Sequence, residues 1–204
     1  MNNSFFRPFI GSTFKEGGIM LVGEAHICGE CSCDECLINK DQVCINGHIA
    51  LVERQISKGD VQTYARFEKE FLGAEIRDVK KREAFWNQFF FTNFLPISMP
   101  QSGDAPEGRF YSDECRERFL NLVKQYKPAR ILVWGERTWN NLPGDPKSGM
   151  WSKEHISEYG GFDVWELNLD DVKSKVLTIY HPAYIGMSDL DFKLWKNRID
   201  HFIK

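Results

Sequence analysis

Short apolar runs that end in glycine or a polar residue are the feature that most constrains the fold of this 204-residue chain. Such runs are typical of buried strands that lead into turns. They predict five strands, at residues 19–22, 89–92, 130–134, 162–167 and 176–180. Because helical patterns alternate with these runs, we predict an α/β fold, a three-layer α/β/α domain with a central, mostly parallel sheet.

The segments between the strands carry helical patterns with recognisable ends. Gly59 and Gly73 close two of them, since glycine ends a helix at low conformational cost. Ser112 and Ser188 are predicted N-caps of later helices. The predicted helices span 47–59, 61–73, 80–87, a segment from Ser112 to Pro128, a short segment after Gly135, and a last segment from Ser188 to residue 204.

Composition and charge narrow the class of protein. The formal net charge of −3 argues against a protein held on nucleic acid mainly by bulk positive charge. The first residues, MNNSFFRPFIG, lack the basic and apolar regions of a signal peptide. The longest uncharged run, residues 85–103, is broken by proline and glycine and is not expected to span a membrane. We expect one domain over residues 1–204, monomeric, cytoplasmic and without a membrane partner.

Polar residues follow three of the predicted strands. They are the segment GEAH at residues 23–26, Thr92–Asn93 and His181–Pro182. Function in open α/β sheets gathers where parallel strands end, at the carboxyl edge of the sheet. The sequence therefore predicts that these three segments meet in one site.

The order of these strand ends resembles the uracil-DNA glycosylase superfamily. The motifs that carry the likeness are GEA, then TN, then PARILVWG, then HPAY, over roughly residues 19–185. The nearest match is to the bacterial and archaeal branches, whose motifs begin Gly-Glu-Ala/Gly and His-Pro-Ser. The resemblance implies the fold of that family, DNA as partner, and hydrolysis of the N-glycosidic bond of uracil or a related damaged base.

The resemblance also implies roles for single residues. Asn93 would hold the edge of the base through an amide that both donates and accepts hydrogen bonds. His181 would act as a catalytic residue beside the base oxygen on which negative charge develops. Glu24 and Ala25 would belong to the catalytic loop against the sugar and the attacking water. The other expected substrate-binding residues are Gly23, His26, Pro182, Ala183 and Tyr184, of which Pro182 and Ala183 would shape a loop that presses on the minor groove.

The chain departs from the family at the same motifs. The best-known branch activates water with an Asp where this chain has Ala25, and related branches have proline where it has His26. The second motif reads HPAY rather than His-Pro-Ser, so a hydroxyl is missing. These departures favour an alternative hypothesis, a non-catalytic nucleotide- or nucleic-acid-binding module on the same fold.

Cysteines follow GEAH at spacings that suit a metal ion. Zinc takes four nitrogen or sulfur ligands, commonly offered in C-x-x-C pairs, and a C-x3-H pair is also present here. The candidate ligands are Cys28, Cys31, Cys33, Cys36, Cys44 and His48. We therefore expect a Cys-rich insertion at about residues 27–48, overhanging the pocket and pinned by zinc. An iron–sulfur cluster is less favoured, because the family members that carry one place their cysteines elsewhere. A loop of reduced thiols and a thiol-based sensor are the alternatives.

Overall fold

The computed structural model describes residues 7–28, 47–96, 98–100, 111–144, 149–184, 186 and 188–204. The strands are β1 (Phe9–Ile10), β2 (Ile19–Gly23), β3 (His26–Cys28), β4 (Phe89–Asn93), β5 (Ser98–Pro100), β6 (Arg130–Trp134), β7 (Trp151–Ile156), β8 (Phe162–Leu169) and β9 (Val172–Ile179). The helices are α1 (Gly47–Lys58), α2 (Gln62–Leu72), α3 (Val79–Trp86), α4 (Asp113–Tyr126), α5 (Glu136–Asn140) and α6 (Asp189–Ile203). The predicted α/β class is confirmed. None of these helices is long and apolar enough to cross a membrane.

The main sheet has seven strands in the order β1-β4-β2-β6-β9-β8-β7. Its four central strands, β4, β2, β6 and β9, are mutually parallel. The outer strands β1, β8 and β7 are antiparallel to their neighbours, so the sheet is mixed around a parallel centre. The short connection explains why β8 and β9 are antiparallel. Only Asp170 and Asp171 separate them, whereas a parallel crossover needs a dozen residues or more.

The helix ends follow the signals in the sequence. Gly73 ends α2 in the left-handed region, at φ 74°, and its N–H donates to the Lys69 carbonyl. Ser188 begins α6 with a capping box, in which its side chain and that of Asp191 each accept from the other residue's N–H. Ser112 precedes α4 as predicted, but its hydroxyl donates to Cys115 Sγ at 3.5 Å and caps no backbone amide.

The hydrophobic core lies on both faces of the central strands. Successive residues of β2 alternate between the faces, and all of them from Met20 to Val22 are buried. Met20 packs in a cluster with Phe119 of α4. Leu21 packs in a second cluster with Phe67 of α2 and Trp195 of α6. Burial on both sides explains why this strand is a continuous apolar run in the sequence.

A buried polar network joins the first three helices. The Glu68 carboxylate accepts from Gln55 Nε2 and from Trp86 Nε1, each at 2.7 Å. Its second oxygen lies 3.5 Å from Arg82 Nε. All four residues are at most 6% exposed. The charge of Glu68 is thus matched by donors from α1 and α3, which fixes how these helices pack against α2.

Glu70 predicts a pH dependence of stability. It is 1% exposed, and its Oε1 has no hydrogen-bond partner among the described residues. Burial raises the pKa of Glu70 from about 4.5 to about 8, with the Arg66 charge opposing the shift. Between these two pKa values the folded state binds more protons than the unfolded state, so the free energy of unfolding falls as pH rises. The contribution of protonated Glu70 to stability is complete below pH 4.5 and is lost as pH rises through 8. We expect the loss to reach about 2 to 4 kcal/mol by pH 8.

The variant Glu70→Gln should flatten this dependence, because its side chain resembles the protonated acid and does not titrate. Urea unfolding of both proteins at intervals from pH 5 to pH 8.5 would measure the two slopes. Glu75→Gln, at an exposed position just after the same helix, controls for the loss of one negative charge. Equal slopes in the wild type and Glu70→Gln would contradict a raised pKa at Glu70.

Candidate functional site

A pocket of about 620 Å³ lies at the carboxyl edge of the four parallel strands. The strand order reverses at β2, whose neighbours β4 and β6 follow it in the chain and lie on opposite sides of it. Ligands in open α/β sheets bind outside such a reversal. The size falls within the range of small-molecule sites. The lining residues are Gly23, Glu24, Ala25, His26, Leu51, Val61, Thr63, Tyr64, Phe91, Asn93, Trp134, Gly135, Glu136, Arg137, Thr138, Tyr180, His181, Ala183 and Tyr184.

The structure brings the three predicted strand-end segments to this pocket. The residues predicted from the sequence that line it are Gly23, Glu24, Ala25, His26, Asn93, His181, Ala183 and Tyr184. Pro182 is buried in the same turn and is not among the lining residues. Their meeting follows from the parallel register, since the ends of β2, β4 and β9 all lie at one edge.

Gly23 and Asn93 are direct partners in the pairing of β2 with β4. A Cβ atom on Gly23 would lie 2.4 Å from Asn93 Oδ1, well inside contact distance. The two chains remain joined beyond the strands, where the N–H groups of Phe94 and Leu95 donate to the carbonyls of Gly23 and Glu24. Glycine at position 23 therefore leaves room for the Asn93 amide at the pocket wall.

Asn93 is a buried residue that lines the pocket, and its side-chain amide makes no hydrogen bond to any described residue. The residue is 6% exposed. Its backbone is fixed, because the carbonyl accepts from Arg118 Nη1 at 2.9 Å and Arg118 Nη2 donates to Thr92 Oγ1 at 2.8 Å. Burial lowers the pKa of Arg118 to about 10, so it remains charged at neutral pH. A rigid strand end thus presents an amide whose donors and acceptor are open to a ligand.

The HPAY segment forms a turn that sets the tautomer of His181. The Tyr184 N–H donates to the His181 carbonyl at 2.8 Å, and the Ala183 N–H donates to His181 Nδ1 at 3.1 Å. Proline at position 182 suits the second residue of such a turn, because its φ is already fixed. An Nδ1 that accepts a hydrogen bond carries no proton, so the neutral ring bears its proton on Nε2.

Electrostatics around His181 favour the neutral ring. Burial lowers the pKa of His181; the Glu24 charge opposes this shift and the Arg137 charge adds to it. Burial also lowers the pKa of His26 in the same pocket. Two imidazoles in the pocket therefore act as neutral groups at pH 7.

Glu24 is held by two residues that the sequence analysis did not identify. Arg137 donates from Nε and Nη2 to the two carboxylate oxygens, and the Tyr111 hydroxyl donates to Oε1. The Glu24 side chain is 12% exposed, against 49% for that of Arg137. These partners lie 113 and 87 residues away in the chain. The negative charge of Glu24 is therefore paired with the positive charge of Arg137, and the carboxylate is held in one orientation. These bonds fix the turn that follows β2.

Gly135 brings Arg137 to this position. It follows β6 directly and precedes α5, with φ 90°, a conformation that glycine adopts without strain. Its N–H donates to the Ile179 carbonyl at 2.9 Å. A Cβ there would lie 3.4 Å from His181 Cβ. The GER sequence after the third predicted strand was the signal for Arg137, because it places an arginine three residues beyond a strand end.

Aromatic side chains form a buried wall of the pocket. Phe91 and Trp134 pack with ring centroids 4.8 Å apart, and Tyr64 lies 5.5 Å from Phe91. All three are at most 6% exposed. Sequence reasoning did not identify an aromatic residue that stacks on a base, and these three residues supply the buried aromatic part of the pocket lining.

The metal prediction falls mainly outside the described residues. Cys31, Cys33, Cys36 and Cys44 lie there, and Cys28 ends β3. His48 lies in α1, 1% exposed, where its Nε2 accepts from the Phe9 N–H at 3.1 Å and burial lowers its pKa to about 3. Among the described residues no group of three or more His, Cys, Asp and Glu side chains could hold a metal ion. Because one ring nitrogen of His48 already accepts a hydrogen bond, that atom does not suit zinc in this arrangement. Zinc remains a prediction.

Comparison with protein-family models and with curated proteins found no match to this chain. The function proposed below therefore rests on the chemistry of the pocket and on the motifs that line it.

The tautomer and charge of His181 can be measured directly. We expect its ring nitrogens, in ¹⁵N-resolved NMR spectra at pH 7, to show an unprotonated Nδ1 and a protonated Nε2. Its pKa should lie below the usual 6.5, because burial disfavours the charged ring. A ring protonated at Nδ1, or a pKa above 6.5, would contradict the described geometry.

The Arg137→Ala variant sharpens this measurement. Removing the guanidinium takes away a repulsive positive charge and leaves the Glu24 carboxylate unpaired beside the ring. The pKa of His181 should rise relative to the wild type. His181→Ala identifies the resonance, and an unchanged pKa in Arg137→Ala would show that Arg137 does not act on His181.

Proposed function

We propose that this protein is a DNA glycosylase of the uracil-DNA glycosylase type, which hydrolyses the bond between uracil, or a related damaged base, and deoxyribose. The three-layer glycosylase fold is part of the same proposal. One observation carries it: the Asn93 amide, which has no hydrogen-bond partner among the described residues, and the neutral His181 ring, with its proton on Nε2, line the same pocket. An amide can hydrogen-bond the edge of a pyrimidine, and an N–H donor can stabilise the negative charge that develops on its ring carbonyls.

Asn93 recognises the base. An extruded pyrimidine presents both a carbonyl oxygen and a ring N–H along one edge, and an amide pairs with both at once. The backbone carbonyl of Asn93 is bound by Arg118, so the strand end that carries the amide is held in place. This rigidity supports recognition by a preformed group.

His181 stabilises the departing base. When the C1′–N1 bond breaks, its electron pair stays with the base, and negative charge spreads onto the ring carbonyls. A neutral Nε2–H that is already oriented donates to such an oxygen without reorganisation, which is the most effective form of electrostatic catalysis. The bond from the Ala183 N–H to Nδ1 keeps the proton on the nitrogen that is free to donate.

Water completes the reaction at the sugar. Its oxygen forms the new bond to C1′, and the proton it loses balances the charge of the released base. Glu24 already accepts from Arg137 and Tyr111, so its role is to hold the 23–26 turn in place. Ala25 carries no functional group and contributes through its small size beside the substrate.

A non-catalytic nucleotide- or nucleic-acid-binding module is the second candidate. The observation that favours it is the neutralised carboxylate of Glu24 next to Ala25, which leaves this loop without a free base to activate water. Such a module would use Asn93 and the aromatic wall in the same way but would release no base.

Excision from oligonucleotides tests the proposal. We expect release of uracil from a strand with one deoxyuridine, detected as alkali-sensitive cleavage at the abasic site. Because each residue supplies hydrogen bonds that strengthen as charge develops, His181→Ala and Asn93→Ala should each lower kcat/KM by about 10²- to 10³-fold.

His155→Ala is the matched control, since this histidine is exposed on β7 and bonded to Asp163, outside the pocket. It should retain wild-type rates, and thermal unfolding of all variants should be comparable. Oligonucleotide binding without excision in any strand form would reject the glycosylase and support the binding module.

A further inference from the structure

Two exposed tyrosines form a parallel pair at the pocket. Tyr180 and Tyr184 both line it, and they are 54% and 58% exposed. Their ring centroids are 5.8 Å apart, with an angle of 28° between the ring planes. Neither side chain takes part in the arrangement of Asn93 and His181 described above, so the exposure of two large rings calls for another explanation.

Packing holds the Tyr180 ring, and a backbone hydrogen bond fixes the chain that carries the Tyr184 ring. Tyr180 packs edge-on against the buried Trp195 of α6, with centroids 5.2 Å apart. Trp195 is covered by the Arg198 guanidinium, 4.8 Å from its ring centre. The Tyr184 N–H donates to the His181 carbonyl and fixes the backbone there, and the Tyr184 ring stacks on that of Tyr180. A rigid aromatic surface loses little side-chain entropy when a planar ligand stacks on it.

We propose that Tyr180 and Tyr184 stack on the nucleobase next to the one that enters the pocket, which makes an unpaired strand the preferred substrate. This inference rests on the proposed function, because it assumes that a base occupies the pocket. The residue before His181 and the third residue after it are the two tyrosines, so the pair flanks the group that contacts the excised base.

An unpaired strand is the ligand that suits this surface. In a duplex each base is already stacked on both neighbours, so a tyrosine must displace a base to reach its face. In a single strand the neighbouring base is open, and stacking on aromatic side chains tolerates any base because all have a flat π surface. The pair would therefore select strand form without selecting sequence.

A positive charge near the two tyrosines favours binding of the phosphate backbone of a nucleic-acid strand on that side of the pocket. Arg66 of α2 reaches the HPAY turn, where its Nη1 donates to the Ala183 carbonyl at 3.2 Å. The lining also includes the exposed Glu136, whose carboxylate would repel phosphates. A strand that passes over Tyr180 and Tyr184 lies beside the turn that Arg66 reaches.

Equilibrium binding of short single strands tests the pair without needing catalysis. The probes are fluorescent nine-nucleotide strands with a central 2′-fluorinated deoxyuridine, which resists hydrolysis. One probe has ordinary bases on both sides, and the other has abasic residues at the two adjacent positions. We expect Tyr180→Ala and Tyr184→Ala to raise Kd for the first probe by at least about fivefold, because stacking on the neighbour is lost. The second probe should change by less than about twofold, since it has no neighbouring base to lose.

The controls separate stacking from other effects. Tyr180→Phe and Tyr184→Phe keep the ring and should bind like the wild type. Tyr159→Ala removes another exposed tyrosine, one that lies outside the pocket lining, and should also leave binding unchanged. Circular dichroism verifies that each variant is folded, and if an alanine variant is not, the test is whether the wild type binds the probe with neighbouring bases more tightly than the probe with abasic neighbours.

Three results would overturn the inference. They are an equal loss of affinity for both probes in the alanine variants, no loss for either, and wild-type binding to a duplex as tight as to the single strand. Excision is assayed separately with the unmodified strand. Neighbour-dependent binding without excision supports the tyrosine subsite and rejects the glycosylase, whereas excision without neighbour dependence does the opposite.

Discussion

The parallel pairing of β2 with β4 and β6 is the constraint on which the site depends. Because parallel strands end at one edge, residues far apart in the chain are delivered to one pocket, and the register sets Gly23 directly beside Asn93. The contact leaves no room for a Cβ at position 23. A shift of register by one residue would move the Asn93 amide away from the turn that holds Glu24, and the pocket would lose its polar wall.

The central strands and most helices could be predicted because their signals are local. An apolar run buried on both faces, as in β2, is visible in a few residues, and Ser188 and Gly73 mark helix ends by their own chemistry. The strand ends predicted to meet do line one pocket. β7 was missed because most of its side chains are exposed, and β1 because it has only two residues.

Contacts between distant residues could not be read from the sequence. The ion pair of Glu24 with Arg137 depends on the turn at Gly135. The positive φ of this glycine cannot be predicted from the pattern of apolar residues. The same is true of the bond from Phe9 to His48, which places that histidine in the core. Local patterns predict elements and edges, whereas the charge state of a pocket is set by which elements the fold packs together.

Neutral groups dominate the chemistry of the pocket. The Glu24 carboxylate is matched by a guanidinium, burial keeps the histidines uncharged, and an amide supplies the open hydrogen bonds. Such a site suits a ligand that is neutral when bound and gains negative charge as it reacts. In the proposed reaction the Nε2–H of His181 is the donor to the developing charge, because the turn has fixed its tautomer beforehand.

Titration of isotopically labelled protein with free uracil, followed by NMR, tests the central claim most directly. The account predicts that the largest shifts occur at the Asn93 side-chain amide and at the Nε2–H of His181, and that the His181 shift disappears in the Asn93→Ala variant. Saturable binding whose shifts fall outside the pocket lining, or no binding at millimolar uracil, would contradict the assignment of this pocket to a base.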